Sequence, residues 1–287
     1  MKKFILESLV KIRDIWQANY PSLTLNIPVY NRNDIEYENK RRLDDPKYLD
    51  RFGYKVFSQN DEDGIITEIF KRIGTTNKKF VEFGVQNGLE SNGHYLLHKG
   101  WSGLWIDGNK ECVNQVLKLF ENPIKKNQLK VINAFITTDN SNELIGKERI
   151  IGMIDLLSID IDGNDYHIWE TITCVKPRVV VIEYNSKFPP PYEWIMPYNP
   201  EHIWDEISDY WGASLSAMVK LGDKLGYQLV GTNMTGVNAF FVEKSLANDL
   251  FPKPATAENL YHSWDSRRYV CSGYMCSGNR SLKYIGN

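Results

Sequence analysis

The chain has only four cysteines among 287 residues, too few and too scattered to form a disulfide framework in a protein this long. Cys271 and Cys276 fall in a Ser/Gly-rich tail as CSGYMC with only His262 nearby, so a structural zinc site lacks ligands there. No apolar run approaches the roughly 20 residues needed to cross a bilayer, and the most apolar stretch centres on Val179 to Ile182. Charge of one sign is also missing: 34 basic and 36 acidic side chains give a formal net charge of -2, which removes the electrostatic footprint of a general nucleic-acid binder. The opening, Met1 to Trp16, interrupts its apolar residues with Glu7, Lys11, Arg13 and Asp14 and has no small-residue cleavage site. It reads as an amphipathic helix of a cytoplasmic protein. Internal repeats and low-complexity tracts are absent.

What is present is a 42% hydrophobic chain, long enough for one full core, in which Val/Ile/aromatic runs alternate with helical patterns from Lys79 onward. Strands are expected at Lys79 to Gly84, Gly103 to Asp107, Lys130 to Thr137, Ile154 to Ile161, Arg178 to Asn185, Tyr227 to Gly231 and Asn238 to Glu243. Helices are expected at Asp61 to Ile73, Asn92 to His98, Lys110 to Phe120, Asp165 to Thr173 and Ser214 to Leu225. Only TNMTGV separates the last two strands, too short for a crossover, so they must be antiparallel. The fold class is therefore α/β: a Rossmann-like, seven-stranded, mostly parallel sheet with one antiparallel strand and helices on both faces. Residues 1–55 read as an N-terminal helical extension, 56–250 as the core and 251–287 as a C-terminal tail. The proline- and aromatic-rich segment 186–211, FPPPYEWIMPYNP and its sequel, follows a central strand where open α/β sheets bind ligands, and is expected to act as a substrate lid. Tyr192, Trp194 and Tyr198 could stack on a ligand ring there or simply clamp the loop.

The segment FVEFGVQNG runs a strand into a turn with Gly84 and Gly88, where a backbone without side chains can approach a ligand. Gln86 stands where a dinucleotide turn of the form G-x-G-x-x-G needs its second glycine, which weakens a pyrophosphate reading. Glu82, just before the turn, would repel phosphate and can accept bonds from an ammonium group. Asp107 ends the next strand, GLWIDGN, where a carboxylate meets ribose hydroxyls in doubly wound sheets. Ala134 and Phe135 then fall where an adenine would lie.

The strand LLSIDIDGND places Asp160 and Asp162 two residues apart, and VVVIEYN does the same with Glu183 and Asn185. If these strands are neighbours, four oxygen-bearing groups converge at the sheet's carboxyl edge, an arrangement that calls for a cation, a proton or a hydrogen-bonded substrate. Hard oxygen ligands suit Mg2+ or Mn2+, with Asp160, Asp162, Glu183 and Asn185 as candidate metal ligands. Asp160, Asp162 or His167, on the following helix, could instead take a proton from an acceptor hydroxyl. His94 and His98 share a helix face, with no third metal ligand in view, and Arg267 with Arg268 could meet a phosphate or form a surface pair.

Taken in order, VEFGVQNG, LWIDGN, IDLLSIDIDGND and VVVIEYN resemble the motif series of class I S-adenosylmethionine-dependent methyltransferases, most closely the FkbM-like branch, over about 55–245. The resemblance implies S-adenosyl-L-methionine as cofactor, with Glu82, Gly84 and Gly88 around the methionine part, Asp107 on the ribose, Ala134 and Phe135 at the adenine, and Asp160 beside the donor. It implies O-methylation of a sugar hydroxyl, on a nucleotide sugar or a surface-polysaccharide precursor, in carbohydrate modification. The expected partner is a small-molecule or carbohydrate acceptor; a homo-oligomer stays open. Two other functions stay open: a nicotinamide-dependent oxidoreductase, which Glu82 and Gln86 disfavour, and a non-catalytic cofactor-binding or scaffold protein of this fold.

Overall fold

A computed structural model describes residues 42, 44–205 and 207–263. The expected N-terminal helix, both tail arginines and Cys271 with Cys276 lie outside the described residues. Of the stretch read as an N-terminal extension, the described part is helical at Arg42 and Asp44 and continues through turns into a 3-10 helix at Asp50–Phe52.

The strands are β1 (Lys79–Phe83), β2 (Ser102–Asp107), β3 (Leu129–Asn133), β4 (Gly152–Ile159), β5 (Val175–Glu183), β6 (Tyr227–Thr232) and β7 (Asn238–Glu243). They form one sheet in the order β3-β2-β1-β4-β5-β7-β6, parallel except that β7 runs against both of its neighbours. The helices are α1 (Glu62–Ile73), α2 (Asn92–His98), α3 (Lys110–Leu119), α4 (Glu121–Lys125), α5 (Ser141–Lys147), α6 (Asp165–Thr171), α7 (Leu215–Leu225), α8 (Lys244–Ala247) and α9 (Ala257–Leu260).

The sheet is apolar on both faces because it is covered on both, which is why its central strands read as continuous Val/Ile runs. One face packs Phe80, Trp105, Val179 and Phe240 against the Ile65, Ile66, Ile69 and Phe70 stripe of α1, with α2 and α3 completing the layer. The other packs Phe83, Ile106, Ile182 and Phe241 against Leu144 and Ile145 of α5, Trp169 of α6 and Met218 and Leu221 of α7. The turn between β6 and β7 is held by Asn233 Oδ1, which accepts from Val237 N and Asn238 N at 2.9 Å each.

Three boundaries differ from expectation. β3 stops at Asn133 instead of running to Thr137, because Asn133 Nδ2 donates to Asp107 O and Gly108 O and draws the chain off the sheet. Helix α5, opened by a polar Asp-Asn-Ser run, carries no apolar stripe long enough to announce itself in sequence. β4 and β5 both lie earlier in the sequence than expected, at Gly152–Ile159 and Val175–Glu183.

Between β5 and α7 the chain forms a long strap whose described residues include no strand, only isolated bridges such as Ile195 to Ala213. It is tied down by polar pairs: Asn164 Nδ2 donates to Asn199 O (2.7 Å), Gly212 N to Gly163 O (3.1 Å), and Asn185 Nδ2 to both Asp209 O and Trp211 O (2.9 Å each).

Candidate functional site

The sheet reverses its order of growth between β1 and β4, and the crevice outside the carboxyl ends of strands at such a point is where open α/β sheets bind ligands. A cavity of about 710 Å³ opens there, within the roughly 300–1,000 Å³ typical of small-molecule sites. A second, more polar lobe of about 380 Å³ shares Gln59, Gly84, Gln86 and Asp160 with it.

The glycine turn forms one wall. Gly84 has φ 73°, and a Cβ there would lie 1.6 Å from Asp160 O, so this position is closed to any side chain. Gly88, also left-handed, leaves no room beside Trp105 and Phe120. Glu82, 4% exposed, accepts from Asn92 N (2.7 Å), Gly93 N (2.8 Å) and Trp105 Nε1 (2.8 Å). Its carboxylate thus anchors the first turn of α2 to the sheet, although it also borders the polar lobe. Burial pushes its carboxyl up to about 7, against those three donors, which act the other way.

Asp107 closes β2. Its Oδ2 accepts from Gln86 N and its Oδ1 from Asn109 N, each at 2.7 Å, joining the glycine turn to the start of α3. Each oxygen keeps lone-pair capacity, and the residue lines the cavity. Burial raises its pKa, opposed by the two main-chain donors. Beyond β3, Ala134 and Phe135 line the same cavity. Phe135 is 49% exposed and lies over Gly108, so it is no core aromatic.

The third wall is acidic. β4 ends at Ile159, one residue before Asp160, so strand alternation does not place the two aspartates. The turn does: Asp165 accepts from Ile161 N (2.9 Å) and Gly163 N (3.0 Å), and Asp162 takes a left-handed φ of 55°. Ligand atoms of Asp160, Asp162 and Glu183 then lie within 4.8 Å of one another, at the ends of adjacent strands. Burial, and next the charge of Asp162, hold Asp160 well above the ordinary carboxylate range. Burial, followed by the charges of Asp160 and Asp162, does the same to Glu183. Glu183 Oε2 is buried with no hydrogen-bond partner. Three convergent carboxylates with an orphaned oxygen suit a proton, a donor hydroxyl or a hard divalent cation.

Other expected residues go elsewhere. Asn185 lies past the end of β5 and spends its amide on the strap carbonyls of Asp209 and Trp211, away from the acidic trio. His167 Nε2 donates to Met196 O at 2.8 Å and its ring meets Tyr198 edge-on, so it pins the strap and does not line the cavity. His94 and His98 stack on Phe57, with centroids 3.9 and 5.1 Å away, and among the described residues only the acidic trio has metal-site geometry. Trp194 stacks on Phe188, the Tyr198 hydroxyl accepts from Thr138 N, and Tyr192 is exposed at the surface.

The strap residues that do line the cavity are His202, Ile203, Trp204, Asp209 and Trp211, joined by Lys187. His202 packs so closely on Gly163 that a Cβ there would lie 2.3 Å from its ring. Burial keeps its pKa below the usual histidine value. In an aperiodic segment nothing in the sequence separates these side chains from Tyr192 or Trp194. Gln59, which with Gln86 links the two lobes, was equally silent.

No protein-family model matches the chain, and no curated protein matches it. Solved structures similar to it include an O-methyltransferase from Bacillus cereus in complex with SAH (11% identity over 79% of this chain and 97% of that one, TM-score 0.42). Another is M. capricolum TrmK in complex with the natural cofactor product S-adenosyl-homocysteine (13%, 62% and 67%, 0.40), and a third is a SAM dependent methyltransferase from Aquifex aeolicus (14%, 71% and 97%, 0.37).

Proposed function

We propose that the protein is an S-adenosylmethionine-dependent O-methyltransferase of the FkbM-like kind, acting on a sugar hydroxyl of a nucleotide sugar or a surface-polysaccharide precursor. The observation that carries the proposal is the pairing, across one switch-point cavity, of Asp107 at the end of β2 with the Asp160, Asp162 and Glu183 trio at the ends of β4 and β5. A nucleoside with a positively charged substituent matches that distribution: a ribose-binding carboxylate on one side, clustered oxygen atoms on the other.

When bound, S-adenosylmethionine supplies a sulfonium methyl group for in-line displacement. The chain's own part is positioning and charge. Asp107 accepts from the ribose hydroxyls while Gln86 N and Asn109 N hold its orientation. Ala134 and Phe135 border the base, and the Gly84–Gly88 turn borders the methionine part, with Glu82 fixing the helix behind it. Asp160, Asp162 and Glu183 hold the acceptor hydroxyl and receive its proton, directly or with Mg2+ or Mn2+ bound at the trio; the orphaned Glu183 Oε2 fits either role.

Among the described residues no helix is long and apolar enough to cross a membrane, and Cys112 and Cys174 are free thiols, in keeping with a cytoplasmic workplace. The test is calorimetric titration with S-adenosylmethionine and S-adenosylhomocysteine, then labelled methyl transfer to a sugar panel with EDTA and with Mg2+. Binding of neither ligand refutes the reading.

A further inference from the structure

Among the described residues, the charged side chains lining the main lobe are five acids, Asp107, Asp160, Asp162, Glu183 and Asp209, and one lysine, Lys187. That lysine lies 3.5 Å from Asp209. Among the same residues the polar lobe adds Glu82 and Glu90 and no lysine or arginine. His202, the remaining basic group, seats its ring against Gly163. Phosphate recognition needs guanidinium or ammonium donors, or free main-chain amides at a turn or helix start. Six amides of these turns are already bonded within the protein: Gln86 N and Asn109 N to Asp107, Glu111 N and Cys112 N to the Asn109 side chain, Ile161 N and Gly163 N to Asp165. Without a cation at the acidic trio, a diphosphate would meet like charge along most of this lining.

The strap offers something else. Trp204 Nε1 donates to Ser208 O at 2.8 Å, so its polar atom is satisfied and the ring is what remains for a ligand. Trp211 lies beside it, with ring centroids 5.7 Å apart, and Ile203, which lines the same cavity, is 81% exposed. Indole rings with an aliphatic side chain favour the apolar face of a pyranose or an aromatic ring.

We propose that the acceptor is an uncharged glycoside whose apolar face rests on Trp204 and Trp211, and that phosphate-bearing sugars are excluded. The inference rests on the methyltransferase reading and narrows its acceptor to a sugar that is no longer, or never was, linked to a nucleotide.

The test is calorimetry on the full chain preloaded with S-adenosylhomocysteine, titrated with phenyl β-D-glucopyranoside and with UDP-glucose, in EDTA and in Mg2+. Phenyl glucoside is expected to bind at least tenfold tighter than UDP-glucose in both conditions. Trp204→Ala and Ile203→Asp, the latter at an exposed position that leaves packing intact, are expected each to weaken phenyl glucoside at least tenfold and to leave S-adenosylhomocysteine affinity unchanged. UDP-glucose binding as tight or tighter, no phenyl glucoside binding, or indifference to both substitutions would overturn the proposal. Failure of S-adenosylhomocysteine itself to bind would strike the methyltransferase reading instead.

Discussion

Replacing Asp107 by Asn keeps the shape of the side chain and removes its charge. Both carboxylate oxygens accept main-chain bonds at 2.7 Å, from Gln86 N and Asn109 N, and the proposed ribose bonds would use their remaining lone pairs. An amide has one acceptor oxygen, so one of those two donors loses its partner, at a cost of about 1–3 kcal/mol in stability. A hydrogen bond to a charged group contributes about 1.5–3 kcal/mol, so losing the charge-assisted ribose contact predicts a dissociation constant for S-adenosylhomocysteine raised roughly 10- to 100-fold. Titration calorimetry reads the affinity, and thermal unfolding of the same sample reads the fold. An unchanged dissociation constant in a folded Asp107→Asn protein would refute the ribose role.

Glu82 carries a pH prediction. Its carboxyl sits at about 7 in the folded protein against an ordinary 4.5, so the folded state holds its proton where the unfolded chain has released it. Stability should fall as pH rises from about 4.5 to about 7, by roughly 3 kcal/mol from this group, with Asp61, also raised to about 7, contributing the same sign. Glu82→Gln should flatten that fall in denaturant titrations without abolishing it; an equally steep profile would contradict the assignment. Asp155, fully buried and accepting from Thr76, Asn77, Lys78 and Arg178, is structural: Asp155→Ala should cost about 3–5 kcal/mol by leaving Arg178 unpaired, and a loss below 1 kcal/mol would speak against it. Gly163→Ala should push the His202 ring off its seat and speed proteolysis of the 186–211 strap, whereas wild-type protection would show that the contact does not hold it.

The legible part of the molecule was the part governed by period and burial. Val179 to Ile182 and Leu104 to Ile106 announced central strands because both faces are covered, and the short β6–β7 connection alone required the antiparallel pair. Asp107 and Glu183 were legible because they end such strands, and Asp160 and Asp162 because they closely follow one, although the turn held by Asp165 is what brings them together. The strap was not, since its shape comes from bonds between distant residues, Asn164 to Asn199 and Asn185 to Trp211, that leave no local pattern. For the same reason His167 looked like a base, although its Nε2–H is committed to Met196 O, while His202 went unnoticed. Glu82 looked like a ligand group for a different reason: sequence cannot show that Asn92 N, Gly93 N and Trp105 Nε1 converge on it.

The central claim is tested most directly by a crystal structure with S-adenosylhomocysteine soaked or co-crystallised. The account predicts density in the switch-point cavity with the ribose hydroxyls on Asp107 and the sulfur turned toward Asp160 and Glu183. Density in another place, or an empty cavity at saturating ligand, would contradict it.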